Sequence, residues 1–90
     1  MQFVEDNYSY IDRSAACIAV NIAEKLGDFS SVEDYKQDVI LWICRRQHLY
    51  DRAKGTPSTF IAMLSATAAK RIIRRARRKK NWIIKNARHL

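Results

Sequence analysis

The chain has 90 residues, 48% of them hydrophobic and 29% charged, which bounds it to one small domain with a modest core and no room for a deep catalytic cleft. Two glycines and one proline leave little material for hairpins, so the expected class is all-α. The formal net charge of +8 is divided sharply: residues 1–51 hold all nine acidic residues and a net −4, while residues 52–90 hold twelve basic residues, no acidic one and a net +12.

The first stretch, "MQFVEDNYSYIDR", has neither a basic flank nor an apolar run, so it does not read as a signal peptide. No apolar stretch approaches the ~20 residues that a membrane span requires. The first expected helix runs from about Ile11 to Leu26, with Ile18, Ala19, Ile22, Ala23 and Leu26 at helical spacing. Gly27 follows, where a helix C-cap favours glycine.

The second helix is expected to open at "SSVED", with Ser30 as N-cap and Glu33 completing a capping box. Its apolar stripe is Val32, Tyr35, Val39, Trp42 and Ile43, and it ends between Gln47 and Tyr50. Cys17 and Cys44 fall in apolar helical stretches without CxxC spacing, so they read as reduced, buried core thiols of a cytoplasmic protein rather than metal ligands. No metal or cofactor is expected.

A loop, "LYDRAKGTPS", leads to the third helix, with Thr56 as N-cap and Pro57 as first helical residue. That helix is expected to reach about Lys80, with Phe60, Ile61, Leu64, Ala68 and Ile72 as its apolar face and Met63 and Ile73 beside it. The chain is thus read as a single domain over 1–90, with a core at about 10–80. Residues 81–90 are a tail or linker: a fourth helical turn, a connection or a partner contact.

Little in the sequence supports catalysis. His48 and His89 have no nucleophile or carboxylate at a telling spacing, and Asp34 and Asp38, one turn apart, read as an exposed helix start. The "KG" of the loop lacks the other glycines of a phosphate-binding loop. The segment "KRIIRRARRKK" (70–80) is more informative, since eight of its eleven residues are basic. Lys70, Arg74, Arg77 and Arg78 share roughly one side of a helix, with Arg71 and Arg75 next to them. Like charges one turn apart repel, and nucleic-acid phosphates offset that repulsion while releasing counterions. A membrane-surface helix would need an apolar face opposite the arginines, and the core already occupies it. Selectivity needs groups aimed at bases; Tyr50, Asp51, Lys54 and Thr56 lie where a loop could hold an unstacked base.

The order of these pieces, "DYKQDVILWI" (34–43), "YDRAKGTPSTFIAML" (50–64) and "AAKRIIRRARRKK" (68–80), resembles the second conserved region of bacterial RNA polymerase sigma factors, especially the extracytoplasmic-function type. The resemblance covers roughly residues 10–80 and implies a three- to four-helix bundle of sigma region-two type with a long basic C-terminal helix. It implies that Asp34, Gln37, Asp38 and Leu41 dock on the clamp coiled-coil of core RNA polymerase. It implies that the loop from Tyr50 through Asp51, Lys54 and Thr56 to Ser58 captures a flipped base of the promoter minus-ten element. The third helix would line the melted strand, with Thr67 at the base and Lys70, Arg71, Arg74, Arg75, Arg77 and Arg78 on phosphates. An anti-sigma protein is a further partner that such factors have. Relative to the family, Phe60 stands where Trp is usual, Thr67 where Asn is common and Arg71 where Asp is common. Sigma factors also carry a helix-turn-helix domain, for which these residues leave no space. The resemblance therefore implies either a piece of a longer chain or a single-domain factor that relies on a partner. Alternative expectations are a free-standing nucleic-acid-binding module, or a polymerase-binding regulator without promoter recognition.

Overall fold

The computed structural model describes residues 3–87, with side chains as far as Lys79. Four helices follow in order: α1 (Phe3–Asp6), α2 (Tyr8–Leu26), α3 (Val32–Arg46) and α4 (Pro57–Ala87). Single 3₁₀ turns at Phe29–Ser31, Gln47–Leu49 and Arg52–Lys54 make up the connections, and no strand occurs among the described residues. The all-α class is as the composition implies.

The core is a seam of branched aliphatic side chains against small ones. From α2 it takes Ile11, Ala15, Ala19, Ile22 and Ala23; from α3, Val39 and Ile43; from α4, Ile61, Leu64 and Ala68. Ala15, Ala19 and Ala23 recur every fourth residue, so one stripe of α2 is smooth and lets its neighbours approach closely. Ser65 is also buried there, and its hydroxyl is partnered by that of Ser14 at 3.2 Å, which avoids the cost of an unpaired polar group. Lys36 pairs with Asp12 at 2.9 Å, pinning α3 to α2. That hydrogen bond raises the Lys36 pKa.

Helix ends explain the connections. Gly27 adopts the left-handed conformation (φ 65°), and the amides of both Gly27 and Asp28 donate to the Ala23 carbonyl. Only glycine takes that conformation without strain. At the other loop, Thr56 Oγ1 accepts the Thr59 amide at 3.3 Å, and Pro57 opens α4.

The structure corrects several expectations. The capping box at Ser30 and Glu33 does not form: α3 starts at Val32 after a 3₁₀ turn, and Ser31, the N-cap, makes no side-chain cap bond. The hydroxyls of Ser30 and Ser31 instead donate to the Asp28 carboxylate at 2.7 and 2.9 Å, joined by Tyr35 at 3.2 Å. The ionised carboxylate is a strong acceptor that draws both hydroxyls toward the turn before α3. Cys17 is exposed and Cys44 half-buried, because the apolar stripe of each helix is narrower than the run of small residues suggested. The first long helix begins at Tyr8 rather than Ile11, preceded by α1. The third expected helix does not stop near Lys80; its backbone continues as helix to Ala87. A partner contact of 81–90 lies outside the described side chains.

At about 1.5 Å per residue, the 31 residues of α4 outreach the 19 of α2 and the 15 of α3. Ile72, Ile73 and Ala76 are half-buried, whereas Arg77, Arg78 and Lys79 are exposed. The basic end of α4 therefore overhangs the bundle.

Two outcomes follow. Ile43→Ala removes a fully buried side chain and is expected to lower unfolding free energy by about 2–5 kcal/mol in urea titrations. The hydrogen bonds from Ser30 and then Ser31 hold the Asp28 carboxyl below its ordinary value of 3.8. A depressed folded-state pKa adds stability above about pH 4 that is lost as pH falls through the folded value. The melting-temperature difference between wild type and Asp28→Ala should therefore be larger at pH 6 and shrink as the pH is lowered below the ordinary carboxylate value.

Candidate nucleic-acid interface

The loop between α3 and α4 is cross-linked by its own hydrogen bonds and by an aromatic stack. Its Asp51 carboxylate accepts the Ala53 amide at 2.9 Å, and the Lys54 amide donates to the Asp51 carbonyl at 3.0 Å. Tyr50 donates its hydroxyl to the Gly55 carbonyl at 3.1 Å. The Tyr50 ring is packed with Phe3 and Phe60, the three centroids lying 4.8 to 5.5 Å apart, an arrangement favoured by aromatic quadrupoles. The Val4 amide donates to Gln47 Oε1 at 3.4 Å, so α1 braces the loop from behind.

This packing opens a cavity of about 260 Å³ on the outer side of the loop, walled by Tyr50, Asp51, Lys54, Gly55, Thr56 and Phe60, with Leu49, Thr59 and Met63 also lining it. Its size falls just below the range for drug-sized ligands and suits a single ring system. Leu49 and Met63 are well exposed at 60% and 56%; they give the cavity an apolar lining on which a base can rest.

The expected site residues divide by role. Lys54 is exposed and uncommitted. Asp51 and Thr56 are occupied in holding the loop and the start of α4, and Ser58 shares its hydroxyl with Thr56 at 3.1 Å. Tyr50 is a wall rather than a free stacking ring. Thr67 is exposed, and its hydroxyl donates to the Met63 carbonyl at 2.9 Å, so a base meets its methyl more readily than its oxygen. At 100° per residue, Thr56, Thr59, Met63, Thr67, Lys70, Arg74 and Arg78 all lie on one broad face of α4. The cavity and the basic run are thus continuous along one helix, and Lys70, Arg71, Arg74, Arg75, Arg77 and Arg78 are all exposed.

Tertiary structure adds a residue that sequence reasoning missed. Lys25, in the last turn of α2, lies with Lys70, Ile73, Arg74, Arg77 and Arg78 around a shallow hollow of about 510 Å³. Those are five cations around one apolar side chain, with no carboxylate lining the hollow. Lys25 is separated from Lys70 by 45 positions, and only the α2–α4 packing reveals the grouping.

Arg71 and Arg75 sit apart from that cluster. They line the groove between α3 and α4 with Asp38, Leu41, Trp42 and Arg45. The Arg46 guanidinium lies 3.3 Å and that of Arg71 5.0 Å from the centre of the Trp42 ring. Asp34, Gln37, Asp38 and Leu41, the expected docking residues, are all exposed on α3, Leu41 at 51%. Among the described residues, no group of His, Cys, Asp and Glu could hold a metal ion, and no helix is long and apolar enough to cross a membrane.

No family model, no curated protein and no solved structure matches this chain.

Lys25→Ala is expected to reduce the slope of log K against log salt for a single-stranded oligonucleotide by about 0.7, the value for one phosphate contact. Fluorescence anisotropy between 50 and 300 mM salt checks it.

Proposed function

We propose that this domain is a sigma region-two-like transcription-initiation module that binds core RNA polymerase through α3 and promoter minus-ten DNA through the loop and α4. The observation that carries the reading is the continuity of a ring-sized cavity with an exposed basic face on one helix, while Asp34 and Asp38 stand exposed on another. A single strand entering the cavity with one unstacked base continues along Thr67, Lys70, Arg74, Arg77 and Arg78, where guanidinium and ammonium groups meet successive phosphates. The cross-linked loop favours such capture because its ordering cost is met on folding rather than on binding. The separated negative groups on α3 let a protein partner approach without competing for the strand.

In this reading the chain performs no covalent chemistry. It stabilises the opened strand by offering an unstacked base an apolar surface and its phosphates a fixed row of cations. It acts in the cytoplasm, beside the polymerase.

Two measurements test this. Wild type should be retained by immobilised core RNA polymerase, and Asp38→Arg should lose retention at least tenfold with an unchanged melting temperature. Wild type should also bind a minus-ten single-stranded oligonucleotide more tightly than its scrambled counterpart at the same salt. Retention without sequence preference points to a polymerase-binding regulator. DNA binding without retention points to a free-standing nucleic-acid module.

A further inference from the structure

The α3–α4 groove is lined by three guanidiniums, Arg45, Arg71 and Arg75, and one carboxylate, Asp38, around the indole of Trp42. Its volume is about 250 Å³. The two helices run antiparallel: α4 begins beside the end of α3, where Phe3 contacts Phe60 and Val4 contacts Gln47. Arg75 is therefore level with Asp38, Arg71 with Trp42, and Arg45 lies nearer the start of α4. Yet among the described residues the only ion pair is Lys36 with Asp12. Asp38 does not neutralise the arginines across from it, and the groove keeps a net positive charge alongside one unpaired carboxylate.

We infer that this groove extends the protein-docking face of α3, and that the partner segment seated there carries carboxylates for Arg45, Arg71 and Arg75 and a cation for Asp38. Arg71 and Arg75 are thereby withdrawn from the nucleic-acid contacts that the sequence suggested for them. This rests on the proposed polymerase contact and specifies its chemistry.

Three observations favour a mixed-charge protein over a phosphate strand. First, Asp38 lies within the groove, and a carboxylate repels a polyphosphate while it attracts a Lys or Arg. Second, Leu41 borders the groove and is 51% exposed, which supplies the apolar contact that a protein interface uses at its centre. Third, Trp42 Nε1 is buried without a hydrogen-bond acceptor. Buried donors in that state are rare, and a small shift of the stacked guanidiniums on docking would admit a partner oxygen. The Lys25 hollow shows the contrast: it gathers cations with no carboxylate at all, which suits a strand.

The two basic flanks of α4 thus serve different partners. Lys70, Arg74, Arg77 and Arg78 face nucleotides; Arg71 and Arg75 face protein. The ordering of charge along α3, with Asp34 and Asp38 first and Arg45 last, also fixes the direction in which a helical partner lies on it, since a reversed helix would set like charges together.

The full chain carrying Arg71→Glu and Arg75→Glu is the test, with Arg75→Gln as a milder variant that leaves the Trp42 stack untouched and circular dichroism melts as the folding check. Retention by core RNA polymerase should fall at least tenfold in the double variant and measurably in Arg75→Gln. The oligonucleotide salt slope should stay within about 0.3 of wild type. A slope reduced by about 1.4, the value for two single-strand phosphate contacts, with polymerase retention unchanged or also lost, overturns the inference. So does a double variant retained as well as wild type. If wild type itself is not retained, the proposed function fails first, which distinguishes the two.

Discussion

Rotation of α4 about its own axis decides what every exposed residue on it can reach. That rotation is set by the core, in which Ile61, Leu64 and Ala68 cluster with Ile11, Ala15 and Ile22 of α2 and with Val39 and Ile43 of α3, while Ser65 meets Ser14. Turning the helix by one residue would displace each side chain by 100° and press Arg71 into the seam. Burial of an unpaired charge there would cost several kcal/mol, far more than a shifted methyl group. The apolar contact thus fixes the electrostatic layout, with one flank of cations beside the end of α2 and another beside α3.

Charge segregation along the chain becomes segregation in space, but not in a simple way. Acidic residues are spread over α1, α2, α3 and the connections, with Glu33, Asp34 and Asp38 on α3, and the described cations of α4 divide between two neighbours. The decisive asymmetry is that Asp38 stands in one basic hollow while the other has no carboxylate. A carboxylate among guanidiniums favours a ligand with both signs; a purely cationic hollow favours a polyanion. The same helix thus presents two flanks of different charge character.

Much of this architecture is legible in residue order. Helical periodicity locates Ala19, Ile22 and Ala23 of α2, Val39 and Ile43 of α3, and Ile61, Leu64 and Ala68 of α4 among the buried positions but passes over Ala15 and Ser65, and Gly27, Thr56 and Pro57 mark helix ends where backbone geometry requires them. What escapes is whatever depends on competition or on distant packing. The "SSVE" pattern offers a capping box from Ser30, yet a 3₁₀ turn runs through Ser31 so that α3 starts only at Val32, and both hydroxyls donate to the Asp28 carboxylate. Four residues of α1 are too few to show a period. In a helix as rich in small side chains as α2, no pattern tells that Cys17 faces outward while Ala15 and Ala19 face inward. The loop residues Tyr50, Asp51 and Thr56 line the cavity, but their polar groups hold the loop itself. Lys25 belongs to a cluster whose other cations lie on α4, and only three-dimensional proximity unites them.

The brace behind the loop has a thermodynamic corollary. Phe3, Tyr50 and Phe60 share one stack, so the order of a four-residue helix at residue 3 is linked to the shape of a cavity walled by residues near 50. A ligand that tightens that wall must also fasten α1, and anything that loosens α1 weakens the ligand by the same factor without touching it. Phe3 is in that sense a remote dial on the cavity, since it packs behind the Tyr50 wall without lining it.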